Sequence, residues 1–294
     1  MSGNKLYGMG TREKAVETLF LACALSSVLI ILLIFLFIVS NGLPVFLKQG
    51  PVSFVFGGSW KPDFDIYGIF PLMVGSFMIT VLALVLALPL GLGSAILIAE
   101  VAPLWVRNIL RPAIDTLAGI PSILYGLFGL VIIVPFIMNN LGGPGQSVLA
   151  CGVVLAVMIL PTIISISEDS MRAVPRELRE GSLAMGATQW QMITGIVVPS
   201  ALSGIVASTV LAMGRAVGET MAVVMVCGGV GLIPTSLLDP VYPLTAVIAS
   251  EWGYSSGLHQ TALFAIGIVL LVIVMLFNVV ILFARRYGMS GSKV

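Results

Sequence analysis

Charge is scarce along this chain. Only 9% of its 294 residues are Asp, Glu, Lys or Arg, against roughly 25% in an average soluble domain. The net charge of +1 argues only weakly against a basic surface for nucleic acid, and the lack of soluble mass argues against it more firmly. A single histidine, His259, cannot build a multi-histidine metal site, and it is read as an interfacial residue. The three cysteines, Cys23, Cys151 and Cys227, are far apart and lack C-x-x-C spacing. Lying in apolar segments, they are read as small buried hydrophobes, not a disulfide or metal set. No G-x-x-x-x-G-K-[ST] loop occurs, so the chain binds no ATP by a P-loop. Gly91, Gly93 and the run Gly142-Gly143-Pro144-Gly145 read as packing and turn glycines. No Ser–His or carboxylate pairing has a spacing usable for hydrolysis, so no catalytic residue is expected.

Apolar residues fill the space. They make up 59% of the chain, and the mean hydropathy is +1.13. Runs of about 20 apolar residues recur along its length, as transmembrane helices require. Barrel strands would instead alternate polar and apolar over about 10 residues. The expected fold is an all-α polytopic membrane protein with six spans. These are Leu19–Val39, a segment within Phe70–Ala99, Ala113–Ile137, Val148–Ser167, Pro199–Gly228 and Ala262–Ala284. The first is too long for a signal-peptide core and lacks a clear small-x-small cleavage site.

Orientation follows from Lys and Arg. Eleven of the fourteen lie in the N-terminal segment (Lys5, Arg12, Lys14), two alternate connections (Arg107, Arg111; Arg172, Arg176, Arg179) and the C-terminal segment (Arg285, Arg286, Lys293). The opposite side has only Lys48 and Lys61. Tails 1–18 and 285–294 and the loop 168–198 are therefore expected in the cytoplasm, around a permease domain 19–284 in the cell membrane. Trp60, Tyr67, Trp252 and Tyr254, on the outer side, suit a headgroup-level belt; an external docking surface is the alternative. Glu100 and Asp115 bracket a cytoplasmic connection and read as helix-end or loop groups rather than proton carriers. Pro89, Pro121, Pro135 and Pro161 fall inside spans, where proline kinks helices.

Arg215 and Glu219 break the economy of charge, because both lie in the apolar stretch 204–230. An ionised group at the centre of a spanning helix costs roughly 2.5–3.5 kcal/mol, and such groups commonly mark a solute or ion path. On a continuous helix their i, i+4 spacing puts them on one face. Arg before Glu is the weaker order, so a partner on another helix is an alternative, as is a structural salt bridge. Guanidinium matches phosphate with paired donors. The expectation is an anion path through Arg215, with Glu219 offsetting its charge. The hydroxyls of Thr220, Ser208 and Thr209 either add donors to it or bond their own helix carbonyls.

The loop from Glu168 to Pro199 has its own pattern. Pro175 starts a helix, with Glu177 and Glu180 near its positive end, and Gly186 ends it. Trp190, Ile193, Ile196 and Val197 then form a second short apolar face. A helix lying on lipid usually carries Lys or Arg, which the second one lacks.

This loop resembles the E-A-A-x-x-x-G-x9-I-x-L-P signature of binding-protein-dependent ABC importer permeases. Glu180, Gly186, Ile196 and Pro199 match at the same spacing, while Gly181, Ser182 and Val198 depart from it with small or apolar residues. The stretch Gly214-Arg215-Ala216-Val217-Gly218-Glu219-Thr220-Met221-Ala222-Val223 is similar to the fifth span of phosphate importer permeases of the PstC type. Asp65-Ile66-Tyr67-Gly68, the run from Ile120 to Gly126, and Ser256-Gly257-Leu258-His259 agree as well. The similarity extends from about Trp60 to Ala284.

The resemblance implies a type I importer permease of MetI-like architecture. Glu180, Gly186, Ile196 and Pro199 would then belong to a coupling element docking on an ATP-binding subunit, and Arg215, Glu219 and Thr220 to the substrate path. It also implies a second permease, two ATP-binding subunits holding the ATP-Mg, an external phosphate-binding protein, and no cofactor in this chain. A permease for another oxyanion, such as sulfate or molybdate, and an ion-coupled secondary transporter are the alternatives.

Overall fold

A lipid interior offers backbone N–H and C=O groups no partner, so a spanning segment must pair them internally. The computed structural model describes residues 11–290, and every long element in it is helical. The first, α1 (Thr11–Gln49), begins inside the segment expected as a tail and exposes apolar side chains along most of its length. That is the surface of a helix facing lipid. It packs against α14 (Gly257–Ser290), where Phe37 meets Phe264 edge-on at 5.5 Å. Gly42 lets the two helices approach, since a Cβ there would lie 2.7 Å from Ile268 Cδ1. Lys5 and Lys293 lie outside the described residues.

The centre of the fold is α3 (Phe70–Ile96) against α7 (Val148–Arg172). Small residues bring the pair together, as in close-packed membrane helices. Ala83 and Ala87 are fully buried, and Gly91 and Gly152 sit against Ile163 and Leu82. Helix α3 continues through a wide π-type turn, Leu97–Val101. Before it, α2 (Pro51–Phe56) and the two-stranded antiparallel ribbon β1 (Trp60–Lys61) and β2 (Ile66–Tyr67) cover the outer end.

Two spans differ from expectation. The third does not begin at Ala113: residues Leu104–Gly119 form a separate helix, α4. Ile120 and Pro121 are extended, and the span starts at Ser122 as α5 (Ser122–Phe128), passing through a π turn into α6 (Val134–Asn140). Proline clashes with a helical residue before it, so Pro121 ends α4 at that point.

The fifth span is broken rather than continuous. After α8 (Arg176–Ala184), α9 (Gln189–Met192) and α10 (Val198–Ser200), the chain bends by 66° into α11 (Leu202–Gly218). It breaks again before α12 (Met221–Val226). A further short helix, α13 (Leu244–Glu251), returns toward that break. Five described helices are long and apolar enough to span a membrane, and six if the bent segment is counted. The outer ends are stitched by backbone bonds: Ser147 N–H to Val226 O at 3.1 Å, Val241 N–H to Cys227 O at 2.8 Å and Val148 N–H to Asp239 O at 3.0 Å. Cys151 and Cys227 are buried as expected, whereas Cys23 is exposed on α1, because that helix has few protein neighbours.

Candidate functional site

The break in the fifth span holds the charged residues. Glu219 caps α11 in an extended conformation, with ψ 133°, so Arg215 and Glu219 are not on one continuous helix. The one-face arrangement expected from their spacing is thereby corrected. Nor are the two a buried pair: Arg215 is exposed, Glu219 is half-buried, and no ion pair joins them among the described residues.

The groups freed by the break find other partners. Glu219 Oε1 accepts the Ala222 N–H at 3.2 Å, and the Glu219 carbonyl accepts the Thr245 hydroxyl at 2.8 Å. Ser76 Oγ accepts the Leu244 N–H at 3.0 Å, fixing the start of α13 against α3. Ser76, Thr80, Glu219 and Thr245 line a cavity of ≈ 10 Å³, about enough for one water. The Thr220 hydroxyl donates to Gly218 O, Thr209 to Ile205 O, and Ser208 pairs with Ser167. Each of these hydroxyls thus has an intramolecular partner. Arg215 lies near enough to Tyr125 to act electrostatically on its hydroxyl, which donates to Leu117 O at 2.7 Å. Tyr125, Ser76 and Thr245 carry no signal in the sequence that marks them as neighbours of this break.

The second locus is the loop between α7 and α11. Pro175 opens α8, with Glu177 in its first turn. Gly186 turns the chain at φ +86°, a conformation that glycine adopts without cost. Thr188 and Gln191 form a capping box that starts α9. The result is a helix–turn–helix, as the spacing predicts. Its surface exposes Leu178, Leu183, Met185 and Trp190, with Glu180 exposed beside them. Ile196 is half-buried in a π turn, Ile193–Val197, and Pro199 lies in α10 at the bend into the fifth span.

One ion pair ties this loop to the second span. Arg179 donates to both oxygens of Glu100 at 2.5–2.6 Å and to Met171 O at 2.6 Å. The Glu100 side chain is 4% exposed. Arg107 donates to Ile98 O at 2.8 Å and Ala99 O at 2.7 Å, and Gln189 to Glu100 O at 3.1 Å. Three successive carbonyls at the π turn ending α3 are thus satisfied from α4 and α9. Glu100 is a helix-end group as expected, whereas Asp115 lies within α4 rather than at a helix end or in a loop, because the helix runs on to Gly119. Deeper in, Glu168 Oε1 faces Arg172 Nε at 3.1 Å and Arg111 Nη1 at 3.6 Å, with neither aligned to donate a hydrogen bond to it.

At the outer end, two of the expected belt aromatics are inside the protein and His259 is half-buried beside them. Trp60 and Tyr67 are buried. Trp60 Nε1–H donates to Glu251 at 3.1–3.2 Å, and His259 Nε2 meets Glu251 at 2.7 Å. The belt is corrected to Trp252 and Tyr254, which are exposed. Trp60 is drawn inward because its N–H has a buried acceptor. Burial first, then the bond to Asp65, pushes the Tyr67 hydroxyl up to about 12. Among the described residues no group of His, Cys, Asp and Glu is placed to hold a metal.

A polytopic helical membrane protein with a broken charged span and a projecting helix–turn–helix is the architecture of a type I importer permease. Residues 87–287 match the family described as "Binding-protein-dependent transport system inner membrane component", and the chain belongs to that family. It is 42% identical over 280 residues to the probable ABC transporter permease protein YqgH of Bacillus subtilis, covering 93% of this chain and 89% of that one. It is 36% identical over 241 residues to the phosphate transport system permease protein PstC of Pasteurella multocida, covering 75% of each. In fold it is similar to the inward-facing MetNI methionine ABC transporter, with a TM-score of 0.59 at 23% identity, over 73% of this chain and 93% of that one. It is therefore a multi-pass permease subunit of an ABC transporter and not itself a catalytic enzyme.

Proposed function

We infer that this chain is a permease subunit of an ATP-driven importer that moves inorganic phosphate into the cytoplasm. It works beside a second permease, two ATP-binding subunits and an external phosphate-binding protein. The observation that carries the reading is the helix–turn–helix 176–192. Its exposed leucines, Met185 and Trp190 form an apolar face in a region otherwise rich in charge, which suits insertion into a cleft of an ATP-binding subunit. Glu180, Gly186, Ile196 and Pro199 supply the shape of that element. The relatives named as phosphate permeases, at 35–37% identity, support phosphate as the solute.

In this reading ATP binding moves the loop, and Arg179–Glu100 and Gln189 pass the displacement to α3. Arg215 is exposed on the protein surface of the fifth span, where it meets the anion with its unpaired fork. Glu219 shapes the break that presents it, and Thr220 completes that break. The test is ATP-dependent uptake of radiolabelled phosphate in proteoliposomes containing the assembled importer. Removing a charged hydrogen-bond donor costs about 1.5–3 kcal/mol, so Arg215→Gln should slow uptake at least about tenfold with assembly intact. Wild-type uptake by that variant would remove Arg215 from the path. Uptake of sulfate or molybdate in place of phosphate would overturn the solute, and uptake driven by a proton gradient without ATP would overturn the coupling.

A further inference from the structure

A cleft of ≈ 370 Å³ opens on the Arg-rich side of the molecule, lined by Ala99, Arg107, Arg172, Val174, Arg176 and Arg179. Four guanidinium groups converge there from α4, α7 and α8, and their donors are unevenly used. Arg179 is engaged through all three nitrogens by Glu100 and the carbonyls of Met171 and Val174. Arg107 spends Nε and one terminal nitrogen on carbonyls, leaving the other terminal nitrogen unpaired. Arg172 engages Glu168 through Nε alone, leaving both terminal nitrogens. Arg176 makes no hydrogen bond or ion pair among the described residues and is exposed. Arg172 pairs with Glu168, which Arg111 also meets, and Arg179 with Glu100, while Arg107 and Arg176 have no carboxylate partner among the described residues, so the cleft carries uncompensated positive charge and several free planar donors.

Its surroundings place it at a membrane surface. Leu104, Trp105 and Ile109 are exposed on α4, the helix that supplies Arg107. Exposed Trp and Leu with Arg on one amphipathic helix is the composition of a segment lying in the headgroup plane. Guanidinium matches phosphate oxygens in paired geometry, and basic pockets between membrane helices on the cytoplasmic side bind phosphorylated headgroups.

We propose that this cleft is a binding site for a phosphate-bearing anion, drawn either from an anionic phospholipid headgroup or from free inorganic phosphate. Arg176 and Arg179 start α8, so an anion here bridges the base of the helix–turn–helix to α4 and braces the loop. The site is separate from Arg215, and the proposal does not depend on what the permease transports.

The experiment uses the full-length chain in the complex it forms in the membrane, extracted into detergent. Native mass spectrometry counts retained phosphatidylglycerol against phosphatidylcholine, and equilibrium dialysis with radiolabelled inorganic phosphate measures the free anion. Both are repeated on Arg176→Gln, Arg176→Lys and, as a control on the opposite side, Lys61→Gln. Phosphatidylglycerol retained in preference to phosphatidylcholine, weakened about fivefold in Arg176→Gln, partly kept in Arg176→Lys and unchanged in Lys61→Gln, establishes the site with lipid as the source. The same Arg176 dependence seen only with inorganic phosphate establishes it with the free anion. Because phosphate could also bind in the transport path, only the Arg176-dependent fraction counts. Retention equal in wild type and Arg176→Gln, or lost equally in Lys61→Gln, overturns the proposal. A failure of phosphate uptake in the transport assay leaves this result standing.

Discussion

Replacing Arg179 by Met strips Glu100 of its counter-ion while keeping most of the side-chain volume. The Glu100 side chain is 4% exposed and Arg179 is 19% exposed. Removing one member of a buried ion pair costs 3–5 kcal/mol, because the other charge stays buried and unpaired. Water reaches Arg179 in part, so the low end applies, about 3 kcal/mol. The Met171 carbonyl also loses its donor. If the loss is confined to the joint between the loop and α3, the local opening equilibrium shifts roughly a hundredfold. Amide hydrogen exchange on the full complex in lipid nanodiscs reads this directly. Residues 97–102 and 176–190 should exchange roughly a hundredfold faster, while α7 residues near the outer end stay unchanged. Adding Glu100→Gln removes the orphaned charge, so the double variant should recover on the order of 2 kcal/mol relative to additivity. On the proposed coupling, ATP hydrolysis should persist while uptake falls, since the substitution lies between the loop and α3 and not in the ATP-binding subunits. Exchange in both segments unchanged from wild type, or two substitutions whose effects simply add, would refute the joint.

Three further outcomes follow from packing and electrostatics. Gly91→Leu drives a side chain into Ile163, which a Cβ alone would approach to 2.7 Å; overpacking of this kind costs about 1–3 kcal/mol, and thermal unfolding in detergent should show a lower midpoint. Glu251→Ala leaves the Trp60 N–H and the His259 ring without their acceptor, a loss of about 2 kcal/mol or more, checked by chemical unfolding and by a red shift of tryptophan emission. The Asp239 carboxyl is held below the usual carboxylate range, chiefly by the Thr235 and Ser236 N–H groups that donate to it. Its folded pKa lies below the unfolded value of about 3.9, so its contribution to the 235–239 turn is full above that pH and is lost as pH falls through the folded pKa. Protection of the Thr235 and Ser236 amides, taken as exchange relative to the intrinsic rate at each pH, should therefore fall on acidification, and Asp239→Asn should abolish that pH dependence.

Much of the architecture is legible from composition. Lipid forces long apolar stretches into helices, so α1, α3, α7 and α14 stand where hydropathy puts them. The helix–turn–helix is equally readable, because Pro175, Gly186 and Thr188 act through their own backbone geometry and need no distant partner. The start of the third span differs from expectation because apolar residues lie on both sides of Ile120–Pro121, and only the backbone conformation at the proline interrupts the helix there.

The Arg215–Glu219 pair shows where local reasoning stops. Four-residue spacing implies a shared face only while the helix continues, and here α13 supplies a hydroxyl, Thr245, that takes the Glu219 carbonyl at the break. Residues 219 and 245 meet only in the folded chain. The same holds for Trp60 with Glu251 and for Glu100 with Arg179, whose separations of 191 and 79 residues erase any periodic signal. By itself, then, the sequence determined the membrane class, the side on which basic residues gather and the shape of the loop, since each depends on burial in lipid or on a few adjacent residues. Tertiary structure alone decided which charges are paired, which are exposed and where the fifth span breaks, because a buried charge or freed carbonyl is stable only beside a partner that another helix brings to it.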